Sequence, residues 1–227
     1  MHILYPRART PGPGTATADA AARLRAIAQA GGWSWTAVDC GADTAYEDAV
    51  RAAWAAGGPF AVVEHDIGVT RAALAGLAAC PHPVCAMAYP LAHPSATLRT
   101  LAGLLARVPG DEGAVGVFRR YVESLPPPAP GVVAVQTWAH RVSTGAGWRW
   151  VETGEPWADA VGLGCTRLRP ATLPPADWGP GSWDTLDSRL SAWLADAGVR
   201  MHVHWPSLPH WHDRTVDSGV PTPASAR

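Results

Sequence analysis

Charge is scarce in this chain, and long apolar runs are missing. Only 16% of its 227 residues are charged, and they leave a net charge of -1. A near-neutral chain has no electrostatic footprint for bulk nucleic acid or an anionic membrane. No window approaches eighteen continuous apolar residues, so no membrane span and no membrane partner is expected. The first residues, Met1 to Arg7, contain no apolar stretch of signal-peptide length. The four cysteines, Cys40, Cys80, Cys85 and Cys165, make no compact framework. Cys80 and Cys85 are separated by four residues, a spacing of neither a zinc knuckle nor a CxxC redox motif. Scattered thiols point to a reducing compartment, so a cytoplasmic location is expected. Also missing are the GxSxG elbow, the P-loop, the GxGxxG fingerprint and the HExxH helix. Their absence excludes the simplest hydrolase, nucleoside-triphosphatase, dehydrogenase and zinc-protease readings.

What is present is rich in small and apolar residues. Hydrophobic residues make up 48% of the chain, and a single domain of this length buries a sizeable core. Glycine (23) and proline (22) exceed average usage but stay below the level of disorder, which reads as a folded domain with many loops. Twelve tryptophans stand against two phenylalanines. Trp fills cores, its commoner use, and also stacks on sugars and bases.

His2 to Tyr5 reads as a strand stopped by Pro6, and Ala18 to Ala30 as an alanine-rich helix closed by Gly31 and Gly32. Trp35 to Val38, Phe60 to Val63 and Val84 to Tyr89 read as strands, with helices over Tyr46 to Ala56 and Thr70 to Ala79 between them. Phe60 to Val63 is the kind of apolar run found in strands buried on both faces. This rhythm predicts an α/β fold, a Rossmann-like, mostly parallel sheet flanked by helices. The stretch 94–130 is expected to be an insertion or lid. Val132 to Trp138 reads as a strand, and the Trp-rich region from there to Trp157 has no clear period. Gly162 to Leu168 reads as a glycine-flanked strand or turn. Ser182 is a plausible N-cap for a helix carrying Trp183, Leu186, Leu190, Leu194 and Ala197 on one face and ended by Gly198. Val199 to Trp205 reads as the last strand. One domain over 1–214, with a mobile tail over 215–227, is the expected organisation.

Three constellations carry chemistry. Glu64 and Asp66 stand two apart at a strand end, so their carboxylates leave one face, where they repel unless a cation lies between them. Hard oxygen donors suit Mg²⁺ or Mn²⁺. A solvated acidic turn would account for the same pair. In the second, His202, His204, His210 and His212 are four of the chain's nine histidines. Their alternate spacing lets two rings meet one ion. A structural turn held by prolines, or a structural Zn²⁺ site, is the alternative. In the third, Asp184 and Asp187 open the last helix. Asp184 has a sufficient role at the helix dipole, which leaves Asp187 the better general base.

Taken in order, Glu64-His65-Asp66, Gly162 to Arg167, Trp183 to Asp187 and the "HVHWP" segment resemble the GT-A-type nucleotide-sugar-dependent glycosyltransferases. More particularly, the "EHDI", "GLGC" and "HVHWP" segments resemble short glycosyltransferase-like proteins of actinobacteria and their phages. The resemblance implies a GT-A-like catalytic domain with a mid-chain insertion, acting on a nucleoside-diphosphate sugar. The acceptor, whether small molecule, protein or DNA, stays open. Glu64-Asp66 would stand where family members carry DxD, with Glu replacing the first Asp. Mn²⁺ or Mg²⁺ would then be held by Asp66 with His202, His204, His210 or His212. Glu64, Arg167, Trp183 and Tyr5 would contact donor or acceptor, and Asp187 or Asp184 would act as base. Two other readings use the same residues. One is a metal-dependent hydrolase built from the acidic pair and the histidines. The other is a non-enzymatic virion or adaptor protein holding structural zinc.

Overall fold

A computed structural model describes residues 1–7, 16–40, 44–65, 67–93, 135–144, 147–152, 154–180, 186–205 and 208. Asp66, Trp183, Asp184, His210, His212, the Ser182 cap, the 94–130 insertion and the 215–227 tail lie outside the described residues.

The expected α/β rhythm is present. Strand β1 (His2–Arg7) leads to α1 (Ala16–Ala30), β2 (Ser34–Asp39), α2 (Ala45–Ala55), β3 (Phe60–Val63), α3 (Arg71–Ala79) and β4 (Val84–Met87). After β5 (Pro90–His93) and β6 (Val135–Trp138), which pair with each other, come β7 (Arg141–Thr144), β8 (Gly147–Trp150) and β9 (Trp157–Ala158). The chain continues through β10 (Cys165–Leu168), α4 (Leu186–Asp196) and β11 (Met201–His204). The central sheet has the order β2-β1-β3-β10-β4-β11-β9. Strands β2, β1, β3, β4 and β11 run one way, while β10 and β9 run against them. The Trp-rich region without a period supplies the antiparallel β7–β8 hairpin and the edge strand β9.

Local chemistry explains the boundaries. Strand β1 does not stop at Pro6, as the sequence implies, but runs on to Arg7. The His2 amide bonds to Pro59 O on the β3 side, and alternation points Pro6 to that same side. Pairing with β3 ends at Leu4, so the amide that Pro6 lacks is not needed. Thr70 caps α3, its hydroxyl oxygen accepting the Ala73 amide at 3.1 Å. Gly198 closes α4 in the left-handed region at φ +74°.

Two packed layers sandwich the sheet. On one face, Leu4, Val62, Val84, Ala86, Leu168, Met201 and Val203 meet α2 and α4 through Val50, Trp54, Leu186, Leu190 and Leu194. On the other, Ile3, Tyr5, Val63, Cys85, Met87 and Cys165 meet α1 and α3 through Leu24, Ala28, Leu74 and Leu77. All four residues of β3, of β4 and of β10 are buried. Trp54, Trp178 and Trp193 meet edge-on, with centroids 5.2 to 5.7 Å apart, so these tryptophans are core. No helix among the described residues is long and apolar enough to cross a membrane.

Candidate functional site

The order of connections locates the ligand-binding edge. Strand β1 is followed by α1 on one face and β2 on its left; α2 then crosses the other face to reach β3 on its right. The strand order reverses between β1 and β3, and in open α/β sheets such a point opens a crevice beyond the carboxyl ends of the strands. Glu64 is the first residue past β3. Strand alternation carries it to the α2/α4 face, where the Tyr46 hydroxyl of α2 donates to Glu64 Oε1 at 3.0 Å.

Opposite Glu64 stands the turn before β10, which is fixed on every side. Gly164 O accepts the Glu64 amide at 2.8 Å. The Tyr89 hydroxyl accepts the Gly164 amide at 3.1 Å, and Thr166 Oγ1 donates to Gly162 O at 2.9 Å. His140, fully buried, donates from Nε2 to Met87 O at 2.8 Å and accepts the Gly162 amide on Nδ1 at 3.3 Å. Burial pulls its pKa down to about 4, so the ring is neutral and its tautomer is set by these two partners. Both glycines are required, because Tyr89 lies on them. A Cβ at Gly164 would sit 2.6 Å from Tyr89 Cζ, and one at Gly162 would collide with the Tyr89 hydroxyl.

Asp187 completes the group. It lies in the first turn of α4, and its Oδ2 accepts the Leu163 amide at 3.1 Å. Burial raises its pKa, outweighing the opposing pulls of that amide and of the Arg141 charge. Tyr46 feels both Glu64 and Asp187, and burial together with these two carboxylates drives its phenol well above the ordinary range. Glu64, Asp187, Tyr46 and Arg141 thus share one electrostatic neighbourhood around a rigid glycine turn. A partly buried carboxyl with a raised pKa, beside a second carboxylate, is equipped to take up a proton.

The other expected residues lie elsewhere. Tyr5 is buried in the α1/α3 layer against Trp35, with centroids 5.6 Å apart. Arg167 is 1% exposed on that same face; it donates to Cys80 O and His82 O, and to Cys85 Sγ at 2.9 Å. As placed, neither reaches the Glu64–Asp187 turn. His202 and His204 sit on β11, separated from β3 by the two strands β10 and β4 and on the α3 side, so the sheet separates them from Glu64. Their neighbours are Cys80 and Cys85. These two cysteines, expected to be unconnected, form a disulfide, because the loop between α3 and β4 folds back on itself.

Sulfur and imidazole donors suit zinc better than Mn²⁺ or Mg²⁺. Among the described residues, no group of three potential ligands forms around Glu64 or Asp187. The described residues therefore do not compose a Mn²⁺ or Mg²⁺ site.

Tyr46, Tyr89 and Arg141 were not singled out in the sequence. Tyr46 opens an amphipathic helix and reads as core; Tyr89 and Arg141 reach the turn from distant parts of the chain. Isolated Tyr and Arg residues carry no motif, and only the Gly162–Gly164 spacing marked the place. No protein-family model matches this chain, and no curated protein matches it either.

Proposed function

We propose that this protein is a glycosyltransferase that moves a sugar from a nucleoside-diphosphate donor to an acceptor hydroxyl at the Glu64–Asp187 turn. The observation that carries the reading is the Asp187 carboxyl, raised in pKa and held by the Leu163 amide at the carboxyl edge of the sheet. The segment resemblance supplies the substrate class, and the strand-end position of Glu64 agrees with it.

In an inverting transfer the acceptor oxygen bonds to the anomeric carbon as the bond to the diphosphate breaks. The acceptor proton passes to Asp187. The Leu163 amide holds that carboxylate in place, and the Tyr46 hydroxyl fixes Glu64, whose carboxylate would meet donor hydroxyls. Arg141, close enough to attract Asp187, brings positive charge to the region where the leaving diphosphate gathers negative charge. The hydrolase reading needs the strand-end carboxylates and the β11 histidines on common ions. The sheet lying between Glu64 and those histidines counts against it.

Titration calorimetry with UDP and with GDP, each with Mn²⁺ and with EDTA, tests the reading. Binding of either nucleotide, lost or weakened in Arg141→Gln and kept in Asp187→Asn, supports it. Absence of binding to both under all conditions overturns it. A dependence on Mn²⁺ would bring Asp66 into the site; binding in EDTA would leave the charge stabilisation to Arg141.

A further inference from the structure

The face of the sheet away from Asp187 carries a second cluster. Cys80 ends α3, Cys85 lies in β4, and His202 and His204 lie in β11. Each offers one donor atom, and the four atoms lie within 4.8 Å of one another. Register explains the convergence. His202 pairs with Cys85 and His204 with Met87, so both rings project on the face that Cys85 occupies. Arg167 of β10 pairs with Cys85 from the other side.

Packing alone leaves two features unexplained. His202 Nδ1 and His204 Nε2 are buried with no hydrogen-bond partner, and a buried polar atom left unpaired is destabilising. Arg167 is a buried cation whose bonds go to two carbonyls and a cysteine sulfur, while its Nε and Nη1 have no partner. A guanidinium buried without a counter-charge is costly. A metal-bound Cys85 thiolate would be a stronger acceptor for Arg167 than a disulfide sulfur, and the bound cation would use both orphaned nitrogens.

We propose that, with the Cys80–Cys85 disulfide reduced, Cys80, Cys85, His202 and His204 bind one Zn²⁺ as a tetrahedral Cys₂His₂ site. Two thiolates and two neutral imidazoles are a closed donor set for zinc, which marks a structural centre rather than an open catalytic one. Bond lengths of about 2.0–2.3 Å place tetrahedral ligand atoms roughly 3.3–3.8 Å apart. The cluster therefore closes by about 1 Å around the ion, while the two sulfurs separate. The Arg167 bond to Cys85 Sγ becomes a charge-assisted bond to a metal-bound thiolate. The chemistry balances with a phosphine reductant. The phosphine takes oxygen from water as the S–S bond breaks, the water's protons give two thiols, and zinc binding releases both. The disulfide and the zinc site are alternative states of the same four residues, and β11 is tied to α3 only in the second.

The site is independent of the transfer reading, and its test does not use activity. The full chain is reduced with a phosphine and titrated anaerobically with Co²⁺. Visible ligand-field bands and a thiolate charge-transfer band, saturating at one equivalent and abolished by one equivalent of Zn²⁺, are expected. The unreduced chain should give neither band. His202→Gln and Cys85→Ser should lose the tetrahedral spectrum, whereas His210→Gln/His212→Gln should keep it. No tetrahedral spectrum in the reduced wild-type chain, with circular dichroism confirming that it is folded, overturns the site. So does an unchanged spectrum in His202→Gln.

Discussion

Asp187 and Leu163 are joined across 24 positions of sequence by one bond, the Leu163 amide donating to Asp187 Oδ2 at 3.1 Å. Asparagine keeps an oxygen for that amide but cannot take up a proton. Asp187→Asn should therefore lower the transfer rate on the order of 10²–10⁴-fold while nucleotide affinity changes little. The raised pKa gives stability the opposite sign. A raised carboxyl contributes stability that is full below its unfolded value and lost as pH rises through the folded one. Asp187→Asn should therefore melt at or above the wild-type temperature at neutral pH. Full activity would remove Asp187 from the mechanism.

Tyr89 distinguishes the two glycines beneath it. At Gly162 the collision is with the hydroxyl, and Tyr89 Cζ stands 3.3 Å from the added Cβ; at Gly164 the ring carbon Cζ itself is 2.6 Å away. Gly162→Ala and Gly164→Ala should each destabilise by about 1–3 kcal/mol in urea unfolding. Adding Tyr89→Phe should recover much of the Gly162→Ala loss and little of the Gly164→Ala loss. Equal rescue would mean that the ring does not lie where the turn requires it.

The sequence shows where each strand lies more readily than which side its residues face. Phe60 to Val63 is an apolar run with no competing reading, and Thr70 with the alanines after it marks a helix start. Alternation also puts His202 and His204 on one face, as it does Glu64 and Val62. It does not say that the two faces are opposite. That depends on register between strands far apart in sequence: Cys85 against His202, and Cys165 against Val63. A single site containing Glu64 and the histidines was therefore compatible with the sequence and is divided by the sheet. The disulfide was hidden for a similar reason. Four intervening residues fit no known spacing rule, but a helix end followed by Pro81 and Pro83 reverses the chain sharply enough to join them.

Glu47 is the polar joint between α2, α4 and the segment before it. Its carboxylate accepts from Arg51 and Arg189, each at 2.6 Å, and from the Trp178 indole at 3.3 Å. Glu47→Ala removes the carboxylate that binds Arg51, Arg189 and the Trp178 indole together, and should cost about 3 kcal/mol. Because the same partner is lost either way, Glu47→Ala/Arg189→Ala should cost clearly less than the two single changes added together. Simple additivity in denaturant unfolding would show that the pair contributes nothing as a pair.

His140 makes stability depend on pH below neutrality. Burial holds the folded pKa at about 4 against an ordinary 6.5. In that window the unfolded chain binds a proton that the folded chain refuses, so stability rises with pH. The contribution is complete above 6.5 and is lost as pH falls through about 4, an expected change on the order of 3 kcal/mol. His140→Gln cannot titrate; its side-chain amide can still donate to Met87 O and accept from Gly162. This variant should be less stable than wild type at pH 7.5, yet its unfolding free energy should fall less between pH 7 and pH 4.5. The difference between the two slopes isolates His140, because the two proteins differ at no other position. Identical slopes would mean that the ring is charged in the folded chain, and the Gly162 amide would then have lost its acceptor.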